Sequence, residues 1–148
     1  MRKIIGVLLF ILAAGYSEAQ ELDSLRLVAS EIPEGYRETS RKEHKTVHAA
    51  SFYEQIELYE SFLGKLKKKS AQSFTKKGDN GTILYFEFEK EFEGAAFLEG
   101  LLWGQEGKAA AKKSDEYFSK GRFLVIWSFG LTSEIKQVSK TKIISLLK

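Results

Sequence analysis

The chain has 148 residues, 23 of them Lys or Arg and 20 Asp or Glu, for a formal net charge of +3. That near-neutral balance gives no general case for nucleic-acid binding. With no cysteine, the chain has no disulfides, thiolate metal sites or cysteine nucleophiles.

The first residues have the layout of an export signal. Arg2 and Lys3 form a positive start, and Ile4 to Ala14 is apolar apart from Gly6. That run is shorter than the roughly 20 residues a spanning helix needs. Ser17-Glu18-Ala19 sets small residues at the two positions a signal peptidase reads, so the expectation is cleavage after Ala19. Residues 1–19 are then a signal peptide and 20–148 a single α+β domain. Within it, 20–50 form an irregular lead-in and 51–148 the main body. The expected location is periplasmic or secreted, with no transmembrane segment after signal removal.

Leu22, Leu25, Ala29 and Ile32 recur at helical spacing, and Pro33-Glu34-Gly35 reads as a turn. Residues 37–45 are almost wholly polar, a loop or an exposed edge strand. Ser51 and Glu54 fit a capping box. Phe52, Ile56, Tyr59, Leu63 and Leu66 then make one apolar stripe, which predicts a helix running into Lys65, Lys67, Lys68 and Lys69. Gly64 inside that helix implies close packing against it. Gly78-Asp79-Asn80-Gly81 carries the Asn-Gly hairpin signal, with positive φ expected at the turn.

Thr82 to Phe92 alternates. Leu84, Phe86, Phe88 and Phe92 share one face, and Tyr85, Glu87, Glu89 and Glu91 the other, expected to be wet. Gly94 to Trp103 reads as a short helix with Phe97, Leu98, Leu101 and Leu102 on its apolar side, close approach at Gly100 and a stop at Gly104. Ser114-Asp115-Glu116 reads as the cap of a single turn ending at Gly121. Phe123 to Phe129 is apolar except at Ser128, a strand covered on both faces, with Trp127 in the core. Thr132 or Ser133 caps a last helix that uses Ile135, Val138, Ile144 and Leu147. The expected fold class is α+β, a small antiparallel or mixed sheet with helices packed mainly on one face.

Several patterns imitate active-site motifs. His44 and His48 lie four apart, but zinc needs a third protein ligand even in a catalytic site, and Lys45 stands where a metalloprotease helix has Glu. Gly104-Gln105-Glu106-Gly107-Lys108 lacks the first glycine and the Ser or Thr of a phosphate loop. No Gly-x-Ser-x-Gly elbow is present. Glu87, Glu89 and Glu91 are roughly 7 Å apart at strand spacing, a separation open to an inverting glycosidase, though such a row is ordinarily solubilising. Asn80-Gly81-Thr82 is a glycosylation sequon that the turn explains equally well. Lys65, Lys67, Lys68 and Lys69, with Lys76 and Lys77, read as a solvated cluster. The lysine surplus of the C-terminal half, including Lys136, Lys140 and Lys142, is expected to lie near the glutamate row and offset it.

The sequence therefore predicts an exported, non-enzymatic binding or accessory domain of unknown ligand. The alternatives are a small cell-envelope hydrolase and an inhibitor of a foreign enzyme. No cofactor, no metal and no nucleic acid is implied. The expected partner is another exported protein or an envelope component, and Tyr85 and Trp103 are the candidate ligand-binding residues.

Overall fold

The computed structural model describes residues 21–40, 46–104 and 115–148. Its frame is a five-stranded antiparallel sheet in the order β1-β2-β3-β5-β4, comprising β1 (Arg37–Thr39), β2 (Leu66–Thr75), β3 (Gly81–Phe88), β4 (Asp115–Lys120) and β5 (Phe123–Ser128). Among the described residues four helices accompany it: α1 (Val47–Gln55), α2 (Glu60–Leu63), α3 (Ala95–Trp103) and α4 (Glu134–Leu146). Three of the four lie on one face of the sheet. A 3-10 turn, Ile56–Tyr59, joins α1 to α2. The other face is covered by α4 and two N-terminal 3-10 turns, Leu22–Leu25 and Ala29–Glu31. The protein is an α+β domain, and among the described residues no helix is long and apolar enough to cross a membrane.

Each face of the sheet has its own core. Under α4 lie Leu25, Phe74, Ile83, Tyr85, Val125 and Trp127. Under α1–α3 lie Phe52, Ile56, Leu84, Phe86, Leu98 and Ile126. β5 is buried at every position, as its apolar run predicts, because β3 and β4 flank it and both layers cover it. Trp127 is 1 % exposed, and its indole N–H donates to Ser139 Oγ at 2.8 Å.

β3 corrects the expectation of a wet face. Every position from Gly81 to Phe88 is buried, because α4 and the N-terminal turns cover the side that carries Ile83 and Tyr85. Glu89 and Glu91 lie beyond the end of the strand, so the three glutamates form no row.

The predicted helix from Ser51 is also corrected. Thr46 is the cap, its hydroxyl accepting from the Ala49 N–H, and Ser51 lies inside the helix. The helical run stops at Gly64, whose φ of 98° and ψ of 166° suit glycine alone. No atom lies within 4 Å of where a Gly64 Cβ would stand, so conformation rather than close packing requires it. The lysines after it begin β2 instead of ending a helix. Likewise, nothing closely approaches Gly100.

In the β2–β3 connection the positive φ falls on Gly78. Asn80 acts through its side chain, accepting from Thr75 Oγ1 at 2.7 Å and from the Lys76 N–H at 3.1 Å. The turn expected at Asp115 is edge strand β4, paired with β5 through a two-residue hairpin. Ser133 caps α4 as expected, but Ile143 rather than Ile144 faces the core.

Candidate docking surface

The layer formed by α1, the 3-10 turn, α2 and α3 carries an aromatic series that rises from the sheet to solvent. At its base, Phe52 meets the buried Phe86 edge-on, with centroids 5.3 Å apart. Phe52 stacks on Tyr59 at 6.3 Å, and Tyr59 meets Phe97 of α3 at 5.6 Å. Phe97 then stacks on Phe62, with centroids 4.3 Å apart and planes within 5°. Phe62 is 61 % exposed and Leu58, one helical turn before it, 74 %. The series is held tightly at α2, where a Cβ on Gly94 would come within 2.6 Å of Leu63 Cδ2. Phe62 is thus an exposed ring stacked on a half-buried one, a contact that lowers the entropy cost of fixing it on binding.

The charge of this layer is one-sided. Residues 46–64 contribute Glu54, Glu57 and Glu60, residues 91–103 contribute Glu91, Glu93 and Glu99, and neither stretch contains a Lys or Arg. Lys69 reaches in from β2, donating to the Tyr53 carbonyl at 2.8 Å, and its ammonium lies 3.4 Å from Glu57. Glu99 accepts from Tyr117 Oη at 2.7 Å. Burial, and then the nearby Glu99, push the Tyr117 phenol up to about 12. Six carboxylates, against Lys69 within the layer and Lys65 and Lys90 at its margin beside Gly64 and Glu91, leave the layer net acidic. At the Phe52–Tyr59 end of the series, a hollow of about 70 Å³ opens between α1 and α3, lined by His48, Ser51, Phe52, Tyr59 and Leu101.

Elsewhere among the described residues several charges are paired within the fold. Lys136 is 1 % exposed, and its Nζ donates to Glu116 at 2.9 Å and to the Leu131 carbonyl at 3.3 Å. Lys140 donates to the other Glu116 oxygen at 2.5 Å. Burial raises the Glu116 carboxyl, but the two ammonium groups outweigh it and hold it below the usual carboxylate value. Lys142 donates to Glu31 at 2.7 Å. The C-terminal lysines are therefore offset by Glu116 and Glu31. Glu87 instead pairs with Lys67 and Arg122, and Glu89 with Lys65.

A second concavity, of about 300 Å³, lies at the other end of the sheet among Tyr36, Lys76, Lys77, Asp79, Thr132 and Glu134. Its polar groups largely engage each other. Tyr36 donates to Asp79, and Lys76 lies over the Tyr36 ring and 3.8 Å from Glu134.

The two candidate ligand residues do not meet. Tyr85 is fully buried in the core under α4, its hydroxyl donating to Gln72 Oε1 at 2.8 Å. Trp103 belongs to the opposite layer, where its N–H donates to the Asp115 carbonyl at 3.2 Å and its ring packs on Tyr117. His48 is exposed on α1, while His44 and residues 105–108 of the imitation phosphate loop fall outside the described residues. Among the described residues no three His, Asp or Glu side chains gather as metal ligands would. The sequence contained one signal for the exposed pair. Leu58 and Phe62 are large, apolar, four apart and off the stripe that packs inward.

Comparison with family models, with curated proteins and with solved structures returned no match to the chain.

Proposed function

We propose that the chain is an exported, non-enzymatic binding domain that docks a protein partner on its α1–α3 layer. The observation that carries this reading is the exposure of Leu58 and Phe62, the latter stacked on Phe97. A large exposed apolar group restrained by a packed neighbour costs less further entropy on binding, and such anchors dominate protein interfaces. Export rests on the Arg2-Lys3 start, the apolar run to Ala14 and the Ser17-Glu18-Ala19 cleavage pattern. The reading is tested by placing a photo-cross-linking phenylalanine analogue at position 62, with Gln137 of α4 as control, in the organism that makes the chain. Position 62 is expected to give one discrete adduct, lost when Leu58 is changed to Ser. Identical adducts from both positions, or none from position 62, would contradict it.

A further inference from the structure

The charge of the α1–α3 layer narrows the partner, an inference that rests on that layer being the docking face. We infer that the partner presents a cationic amphipathic segment of a different protein. Its apolar side chains sit on Leu58, Phe62 and Phe97, and its Lys or Arg groups lie against Glu57, Glu60 and Glu93.

Three observations carry this. First, the exposed apolar groups lie in the same stretches as six glutamates, those stretches hold no Lys or Arg, and Lys69, 3.4 Å from Glu57, is the cation that reaches in from β2. Glu57 and Glu60 alternate with the apolar positions along the 3-10 turn and α2. Glu93 precedes Gly94, whose Cβ position is 3.1 Å from the Phe62 carbonyl. The acidic residues thus neighbour the patch along the backbone, an arrangement that favours a partner with positive charge around an apolar centre.

Second, the same charge disfavours a second copy of this chain. A two-fold interface brings the same patch from both subunits together, which here would set one group of glutamates against another. Third, the hollow beside Tyr59 holds about 70 Å³, room for one aliphatic side chain. It would serve as an anchor pocket at the Tyr59 end of the aromatic series, which continues through Phe97 to Phe62. A purely cationic polymer satisfies the carboxylates and leaves the rings wet, so both properties are required together.

The test uses a fluorescein-labelled 18-residue amphipathic helical peptide with a Leu stripe and Lys on its flanks. One control peptide carries Glu for Lys, and a second carries Ser for Leu. Fluorescence anisotropy with the purified chain is expected to show the Lys–Leu peptide binding at least about tenfold tighter than either control, with affinity falling as salt rises. Phe62→Ser should weaken it about tenfold or more. The triple variant Glu57→Lys, Glu60→Lys, Glu93→Lys should transfer the preference to the Glu peptide, with thermal melts confirming that each variant is folded. Equal binding of the Lys and Glu peptides, both lost in Phe62→Ser, would overturn the cationic partner while leaving the docking face standing. Binding untouched by Phe62→Ser would overturn the face itself. A concentration-dependent dimer of the chain alone, lost in Phe62→Ser, would assign the face to a second copy and overturn the inference.

Discussion

The Phe62 and Phe97 rings lie parallel, 4.3 Å apart, on two helical segments that are separate in sequence. Phe97 is partly buried and Phe62 mostly exposed, so the contact restrains the outer ring without hiding it. Phe62→Ser should therefore cost little stability, within about 1 kcal/mol, since truncating an exposed side chain loses only part of the 1.5–3 kcal/mol of a fully buried one. Denaturant melts check this. A loss above about 3 kcal/mol would mark Phe62 as structural.

Trp127 offers the opposite case. It fills the core under α4 and its indole N–H is bonded to Ser139. Trp127→Ala should destabilise by roughly 3–5 kcal/mol. Ser139→Ala, which leaves the buried N–H without its acceptor, should cost about 1–3 kcal/mol. Equilibrium unfolding reads both.

The buried Lys136 depends on Glu116. Glu116→Ala leaves that ammonium without its counter-charge and should cost about 3 kcal/mol. Adding Lys136→Met, which is apolar and of similar length, should recover much of the loss. A double-mutant cycle in which the two changes simply add would refute the coupling.

Glu116 and Glu31 also predict an acid limb. Both carboxyls are held below their usual value, Glu31 chiefly by the hydrogen bond from Lys142 and then by the Val28 N–H. A carboxyl depressed in the fold contributes stability above its unfolded pKa, and that contribution is lost as pH falls through the folded value. The unfolding free energy should accordingly decline below about pH 4.5. The slope should be shallower in Glu116→Gln. An unchanged slope would show that other groups govern the acid limb.

Gly64 separates conformation from packing. A Cβ there meets nothing within 4 Å, yet the backbone has φ 98° and ψ 166°. Gly64→Ala should cost about 1–3 kcal/mol from backbone strain alone. A neutral result in melts would mean that the helix end relaxes.

Sequence pattern carried the central elements and lost the edges, for physical reasons. β5, α3 and the capped start of α4 were legible because their burial pattern or caps dominate locally. The run from Leu66 was misread because Leu66 continues the helical stripe and the lysines suit a helix C-terminus. Only the backbone of Gly64 breaks the run. β4 resembled a capped turn because an edge strand tolerates Asp115 and Glu116. Sequence pattern assigns Lys136 to the glutamate row because its actual partner, Glu116, is twenty residues away in sequence and reads as part of a turn. Tyr85 falls on the expected wet face because alternation cannot tell that α4 returns to cover it. The patch was visible only as two apolar residues off the stripe, and its acidic neighbourhood depends on α3 packing beside α2.

The central claim is that the α1–α3 layer is the face that binds. The most direct measurement is an NMR titration of the isotope-labelled chain with the Lys–Leu amphipathic peptide, following amide, methyl and aromatic signals. The account predicts saturable shifts concentrated at Leu58, Phe62 and Phe97 and at the backbone of Glu57, Glu60 and Glu93, with the α4 signals unmoved. Shifts centred instead on Tyr36, Asp79 and Glu134, or along the outer face of α4, would contradict it.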